Sequence, residues 1–128
     1  MGTMLADFVH ISGVDGPVPP AGVNQVAISK KFDTGGIRTE RSAILMFSVM
    51  PVANPPQPAV ADVFINDVKV GSILNPVFNT FTMQTIVIAI ASTAHFNAGS
   101  GALNEFAIKN VPRAFQIKDI VCFFHQES

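Results

Sequence analysis

The densest run of chemically capable side chains is Asp33-Thr34-Gly35-Gly36-Ile37-Arg38-Thr39-Glu40-Arg41. Two arginines flanking a glutamate can grip two oxygens at fixed spacing, which suits a carboxylate or vicinal hydroxyls. The competing account is a solvated hairpin whose charges keep a strand edge from pairing. Surface ion pairs are common and weak, and that favours the hairpin. Asp33-Thr34-Gly35 is also the tripeptide of an aspartic-protease loop. That chemistry needs two carboxylates sharing one proton, hence a second loop or a second copy of the chain. A small hydrolase using Asp33 therefore stays as an alternative. Amides gather at a second place, 97–104, where Asn97 and Asn104 flank a run of small residues. Loops of a sandwich collect at its two ends, so distant loops can meet. The candidate ligand-binding set is Asp33, Arg38, Arg41, Asn97 and Asn104.

Other chemistries have less to work with. His10, His95 and His125 are far apart and lack the close spacing of zinc ligands, so no metal or cofactor is expected. The single Cys122 forms no internal disulfide. It sits in the apolar run Ile120-Val121-Cys122-Phe123-Phe124 and reads as a buried structural thiol. The sequence holds no Gly-x-Ser-x-Gly elbow and no Gly-rich phosphate loop ahead of a helix. No catalytic residue is assigned, and a non-enzyme is expected.

Positioning such residues falls to strands. Two runs, 60–65 and 68–73, flank Asn66-Asp67, a pair that tolerates positive φ and suits a two-residue hairpin. Weak alternation over 4–11 predicts a first strand, and 25–32 a half-buried one. Residues 42–50 are nearly all apolar, which predicts cover on both faces. Four prolines within 51–58 rule out a strand interior and predict a crossing loop. Leu74 onward is expected to turn through Pro76, followed by a strand over 81–90. The run 103–109 places Phe106 and Ile108 inward, with Glu105, Ala107 and Lys109 outward. The last strand, 114–124, turns wholly apolar at its end and reads as central. The segment 12–22 is rich in Gly and Pro and reads as a loop. No window keeps a capped 3.6-residue period. The expectation is an all-β, antiparallel jelly-roll-type β-sandwich of about eight strands, its core including Leu45, Phe47, Ile65, Ile88, Phe106, Ile108 and Ile117.

The stretch Ala61-Asp62-Val63-Phe64-Ile65-Asn66-Asp67-Val68-Lys69-Val70-Gly71 resembles the hairpin of galactose-binding-like jelly-roll modules. Asn97-Ala98-Gly99 followed by 103–108 is similar to their penultimate strand, and 117–124 to their closing one. The resemblance spans 60–124 and is one of fold. It implies a recognition or accessory role, often toward carbohydrate. Such modules usually stack sugars on Trp or Tyr. This chain has neither, though it has 11 Phe, so a sugar site here rests on hydrogen bonds and Phe faces.

Length and composition bound the rest. With 128 residues the chain is one domain, 1–128. Charged residues make up 13%, against about 25% in typical domains. With 48% hydrophobic residues, the surface must carry apolar groups, and a homo-oligomer that hides part of it is expected. The net charge is −1 with scattered Lys and Arg, so no nucleic-acid footprint is present. No apolar stretch reaches the roughly 18 residues of a transmembrane helix. The start lacks the basic and apolar regions of a secretory leader, which predicts a cytoplasmic protein or one released without a leader. Met4 is read as the natural start, with Met1–Thr3 an added remnant. The expected function is a non-enzymatic, lectin-like, carbohydrate-binding module acting as a homo-oligomer. The alternatives are a structural assembly subunit, such as a phage or particle component, and the Asp33 hydrolase.

Overall fold

A computed structural model describes residues 4–12, 16–39, 41–52, 59–75, 83–99 and 101–127. Residues 1–3, 13–15 of the Gly- and Pro-rich 12–22 segment, Glu40, the proline-rich 53–58, the turn through Pro76 with the start of the 81–90 run, Ser100 and Ser128 lie outside them. Nine strands are described: β1 (Met4–Ser12), β2 (Gly16–Val18), β3 (Ala21–Asp33), β4 (Ala43–Pro51), β5 (Ala59–Ile65), β6 (Val68–Asn75), β7 (Gln84–Ile90), β8 (Leu103–Val111) and β9 (Phe115–Glu127). One sheet runs β1-β9-β4-β7, with β2 also paired to β9, and the other runs β3-β8-β5-β6. Every pairing is antiparallel. The chain is an all-β sandwich, as its alternation predicts. Among the described residues no helix is long and apolar enough to cross a membrane.

The ninth strand is β2, inside the segment read as a loop. Gly16, Pro17 and Val18 pair with Ile117, Gln116 and Phe115. Val18 is fully buried there, so a short apolar anchor overrides the local Gly/Pro composition. The β5–β6 hairpin forms as expected, with φ of 50° at Asn66 and 65° at Asp67. Ile37 is buried in the loop that precedes β4, which begins only at Ala43.

All seven residues assigned to the core are buried. Phe47 of β4 meets Phe106 of β8 across the two layers, edge to face, with ring centroids 6.3 Å apart. Gly71 on β6 is required by the same packing. A Cβ there would lie 2.8 Å from Cγ2 of Ile88 on β7, inside van der Waals contact.

The expectation of two-sided cover needs correction. On β4, Ala43, Leu45, Phe47 and Val49 point inward and are buried, while Ile44 is 44% exposed. β9 is central, yet Phe123 near its end is 38% exposed. Among the described residues no second layer covers this outer face, because the partner layer packs on the other face of the sheet. The outer face of the other sheet is mixed, with Val26, Val60, Leu74 and Leu103 exposed beside paired charges. Lys31 lies 4.0 Å from Glu105, Lys109 sits 4.5 Å above the Phe64 ring and Lys69 lies 3.3 Å from Asp62. Burial pushes the Asp62 carboxyl up, but hydrogen bonds from Asn110, Ser72 and Lys69 outweigh it and leave the pKa below the usual value.

Phe106 fills the centre of this seam. Replacing it with Ala should cost about 3–5 kcal/mol, read as a shift in the denaturant midpoint. A loss below about 0.5 kcal/mol, typical of surface positions, would move Phe106 out of the core.

Candidate functional site

Loops 34–42, 66–67 and 91–102 meet at one end of the sandwich, where β3 ends, β4 and β8 begin and β5 turns into β6. Asp33 pairs with Leu103 in the β3–β8 ladder, which brings the Asp33 loop against the 97–104 turn as the candidate set requires. The Asp33 carboxylate is occupied at both oxygens. The Gly35 N–H donates to Oδ1 at 2.7 Å and the Gly101 N–H to Oδ2 at 2.8 Å. Gly35 and Gly101 have φ of 71° and 80°, a region where a side chain is strained. Asp33 therefore staples two loops, each turning through a glycine.

Asn104 is fully buried and its amide is committed. Its Oδ1 accepts from the Asn97 N–H at 2.7 Å and from Asn66 Nδ2 at 2.8 Å, and its Nδ2 donates to the Asn97 carbonyl at 3.1 Å. A side chain with 0% exposure does not reach a ligand on the surface. Asn97 is exposed, with its Nδ2 donating to the Leu103 carbonyl at 2.9 Å. Asn66, chosen in the sequence only as a turn former, completes the network. Its Nδ2 also donates to the His95 carbonyl at 2.9 Å, and its Oδ1 accepts from the Glu105 N–H at 2.8 Å.

The two arginines lie in a loop pinned by Thr93. Its buried hydroxyl donates to the Arg41 carbonyl at 2.7 Å and lies 3.4 Å from that of Arg38. The Arg38 N–H donates to the His125 carbonyl at the end of β9, at 2.7 Å. The Arg41 side chain is exposed and that of Arg38 half-buried. Next to this loop a groove of about 320 Å³ is lined by apolar Phe8, Ala43, Ile44, Phe123 and Phe124, with Asp7, Ser42 and His125 as its polar members.

His95 is a feature that sequence spacing could not reveal. Its ring packs edge-on to Phe96 at 5.0 Å, and its Nε2 is buried with no hydrogen-bond partner. Burial lowers the imidazole pKa from its ordinary 6.5. His10 and His125 fall on neighbouring strands but do not meet, since His125 pairs with Ala6 and His10 with Val121. His10 Nε2 lies 3.8 Å from Asp119. Among the described residues no three His, Cys, Asp or Glu side chains gather as metal ligands do. Burial pushes the Cys122 thiol up to about 12, which leaves little thiolate at neutral pH.

No known family model matches the chain, and neither does any curated protein. Among solved structures, the EclA C-terminal domain, described as a sugar-binding protein, is 10% identical with a TM-score of 0.49, over 94% of this chain and 79% of that one. The Stig cyclase Fisc from Fischerella sp. TAU is 8% identical with a TM-score of 0.47, over 98% and 85%. One binds sugar and the other is a cyclase, so no activity passes to this chain from either likeness.

Two outcomes follow from the loop end. Asn104→Ala leaves the Asn97 N–H and the Asn66 amide short of an acceptor, and should cost about 1–3 kcal/mol for stranded buried polar groups. An unchanged denaturant midpoint would show that the network is not structural. For His95, the unfolded chain takes up a proton near pH 6.5 while the folded state resists it. Stability is full above that pH and declines as pH falls toward the lower folded value. The melting temperature should therefore drop between about pH 7.5 and pH 5.5, and His95→Gln should flatten that slope. Asp62 contributes only in stronger acid, below about pH 4.

Proposed function

We propose that the protein is a non-enzymatic recognition module, acting as a homo-oligomer, that binds carbohydrate at the loop end of the sandwich. The observation that carries this reading is the internal locking of that end. Asp33, Asn66, Asn104 and Thr93 spend their polar atoms on holding three loops in register. Loops fixed in advance lose little entropy when a ligand docks. The exposed Arg41 and Asn97 are left at their surface. A guanidinium presents paired donors at fixed spacing, which suits vicinal hydroxyls or the carboxylate of an acidic sugar. Asp33 remains in the proposed site as the staple that sets the loop. With both oxygens held by backbone amides, it suits that role better than proton transfer. Arg38 flanks the site from the same loop, and Asn104 supports it from below.

A second reading, a structural assembly subunit, is favoured by the exposed apolar outer face of the five-stranded sheet. The two readings predict different experiments. A glycan array followed by calorimetry should find a carbohydrate that binds. Arg41→Ala should weaken that binding tenfold or more, and its stability should stay within about 0.5 kcal/mol, as for other surface changes. Full binding by Arg41→Ala would remove this site. An array without any bound glycan, together with particles of high mass in light scattering, would give the function to assembly.

A further inference from the structure

We infer that the outer face of the five-stranded sheet is an isologous interface, covered in solution by the same face of a second copy of this chain. The inference rests on the homo-oligomer part of the reading above and not on its carbohydrate part.

The face is set by register. Phe8 pairs with Phe123, Phe123 with Ile44 and Ile44 with Ala89, so one outward row runs across four strands. The next row runs His10, Val121, Met46 and Val87. Phe8 is 61% exposed and Val87 60%, at opposite margins of the sheet. The Phe8 and Phe123 rings pack at a tilt of 43°, with centroids 6.1 Å apart. Below these rows the outward residues become polar, with Ser48 between Lys118 and Thr85. An apolar centre with a polar border is the anatomy of a protein interface.

Three observations select a second copy as the occupant. First, size fits. Four strands spaced about 4.8 Å, paired over the nine residues of β4 at a rise of about 3.3 Å per residue, make a face of roughly 19 by 30 Å. Two copies together would bury on the order of 1,100 Å², just above the roughly 1,000 Å² that a specific interface needs. Second, charge fits. The row Phe8, Phe123, Ile44, Ala89 holds no charged side chain, so its cover must be uncharged and nearly flat. The same row on a two-fold related copy is both, and sheets packed face to face interdigitate about 10 Å apart. The outer face of the four-stranded sheet, with Lys31, Lys69 and Lys109 paired to carboxylates, is a poor match. Third, the sequence of β4 is apolar on both parities, the pattern of a strand buried on two sides, while the chain itself covers one. The groove beside Phe8 and Phe123, about 320 Å³ in volume, leaves room for a side chain of the facing copy.

Light scattering on the whole chain tests this, with Val87→Lys and Phe8→Lys as disrupting variants and Leu103→Lys, exposed near the start of β8 in the other sheet, as control. The expected result is twice the 13.6 kDa chain mass for the wild type and the control, and the single-chain mass for either disrupting variant. Circular dichroism should show the same β spectrum throughout, and Ile44→Lys serves if one variant does not fold. A dimer that survives all three face variants overturns this interface but keeps the oligomer. A monomeric wild type overturns both. So does a monomer that binds neutral phosphatidylcholine vesicles and loses them with Phe8→Lys, which would give the face to a membrane. An assembly larger than two overturns the closed two-fold pair.

Discussion

The seam between the two sheets, where Phe47 and Phe106 meet at 6.3 Å, is the constraint on which the rest of the molecule depends. Side chains alternate along a strand, so fixing one inward residue fixes every outward one. With Phe47 inward, Ile44 and Met46 face out. With Phe106 inward, Glu105 and Lys109 face out. A slip of one residue in either strand would bury Lys109 or expose Phe47, and desolvating an unpaired ammonium is prohibitive. The chemistry of both outer faces is therefore decided at the centre of the core.

That register gives the two faces different characters. On the four-stranded sheet, outward positions carry Asp62, Glu105 and Lys109, each with an opposite charge or a ring to meet. The charges also guard this sheet against edge pairing, since β3 brings Lys30 and Lys31 to its margin. On the five-stranded sheet the rows through Ile44 and Met46 carry Phe, Ile, Val and Met beside Ala89 and His10. Exposed apolar side chains occur on both sheets, with Val26, Leu74 and Leu103 on the four-stranded one.

Much of this was legible in the sequence. The hairpin around Asn66-Asp67 was, because few residue pairs accept positive φ twice in succession. The core from Leu45 to Ile117 was, because parity needs no tertiary information. β2 was hidden because Gly16-Pro17-Val18 looks like its loop, and only its partner, 115–117, makes it a strand. The two-sided apolarity of 42–50 predicts cover on both faces, but alternate residues of β4 are buried and Ile44 is exposed, because the second layer packs on one face alone. The site was less legible. Amide-rich loops look the same whether the amides serve a ligand or the loops themselves, and only the pairing of Asn104 with Asn66 and Asn97 separates the two uses. His95 belongs to no motif, and burial of its Nε2 follows from the loop's path alone.

Asn66 shows how closely backbone and side-chain demands are joined at the loop end. Its backbone needs positive φ, which glycine would meet at lower cost. Its side chain meets a second demand that glycine cannot. It answers the Glu105 N–H, the His95 carbonyl and the Asn104 amide at once, so one residue couples the β5–β6 turn to the 91–102 loop and the start of β8. Asp33 repeats the device on the other side by joining its own turn to Gly101. The loops are thereby tied to each other as well as to the sheets, and a change in one shifts the others. These side chains are committed to the fold, whereas the Arg41 guanidinium stays in solvent while its backbone carbonyl is held by Thr93.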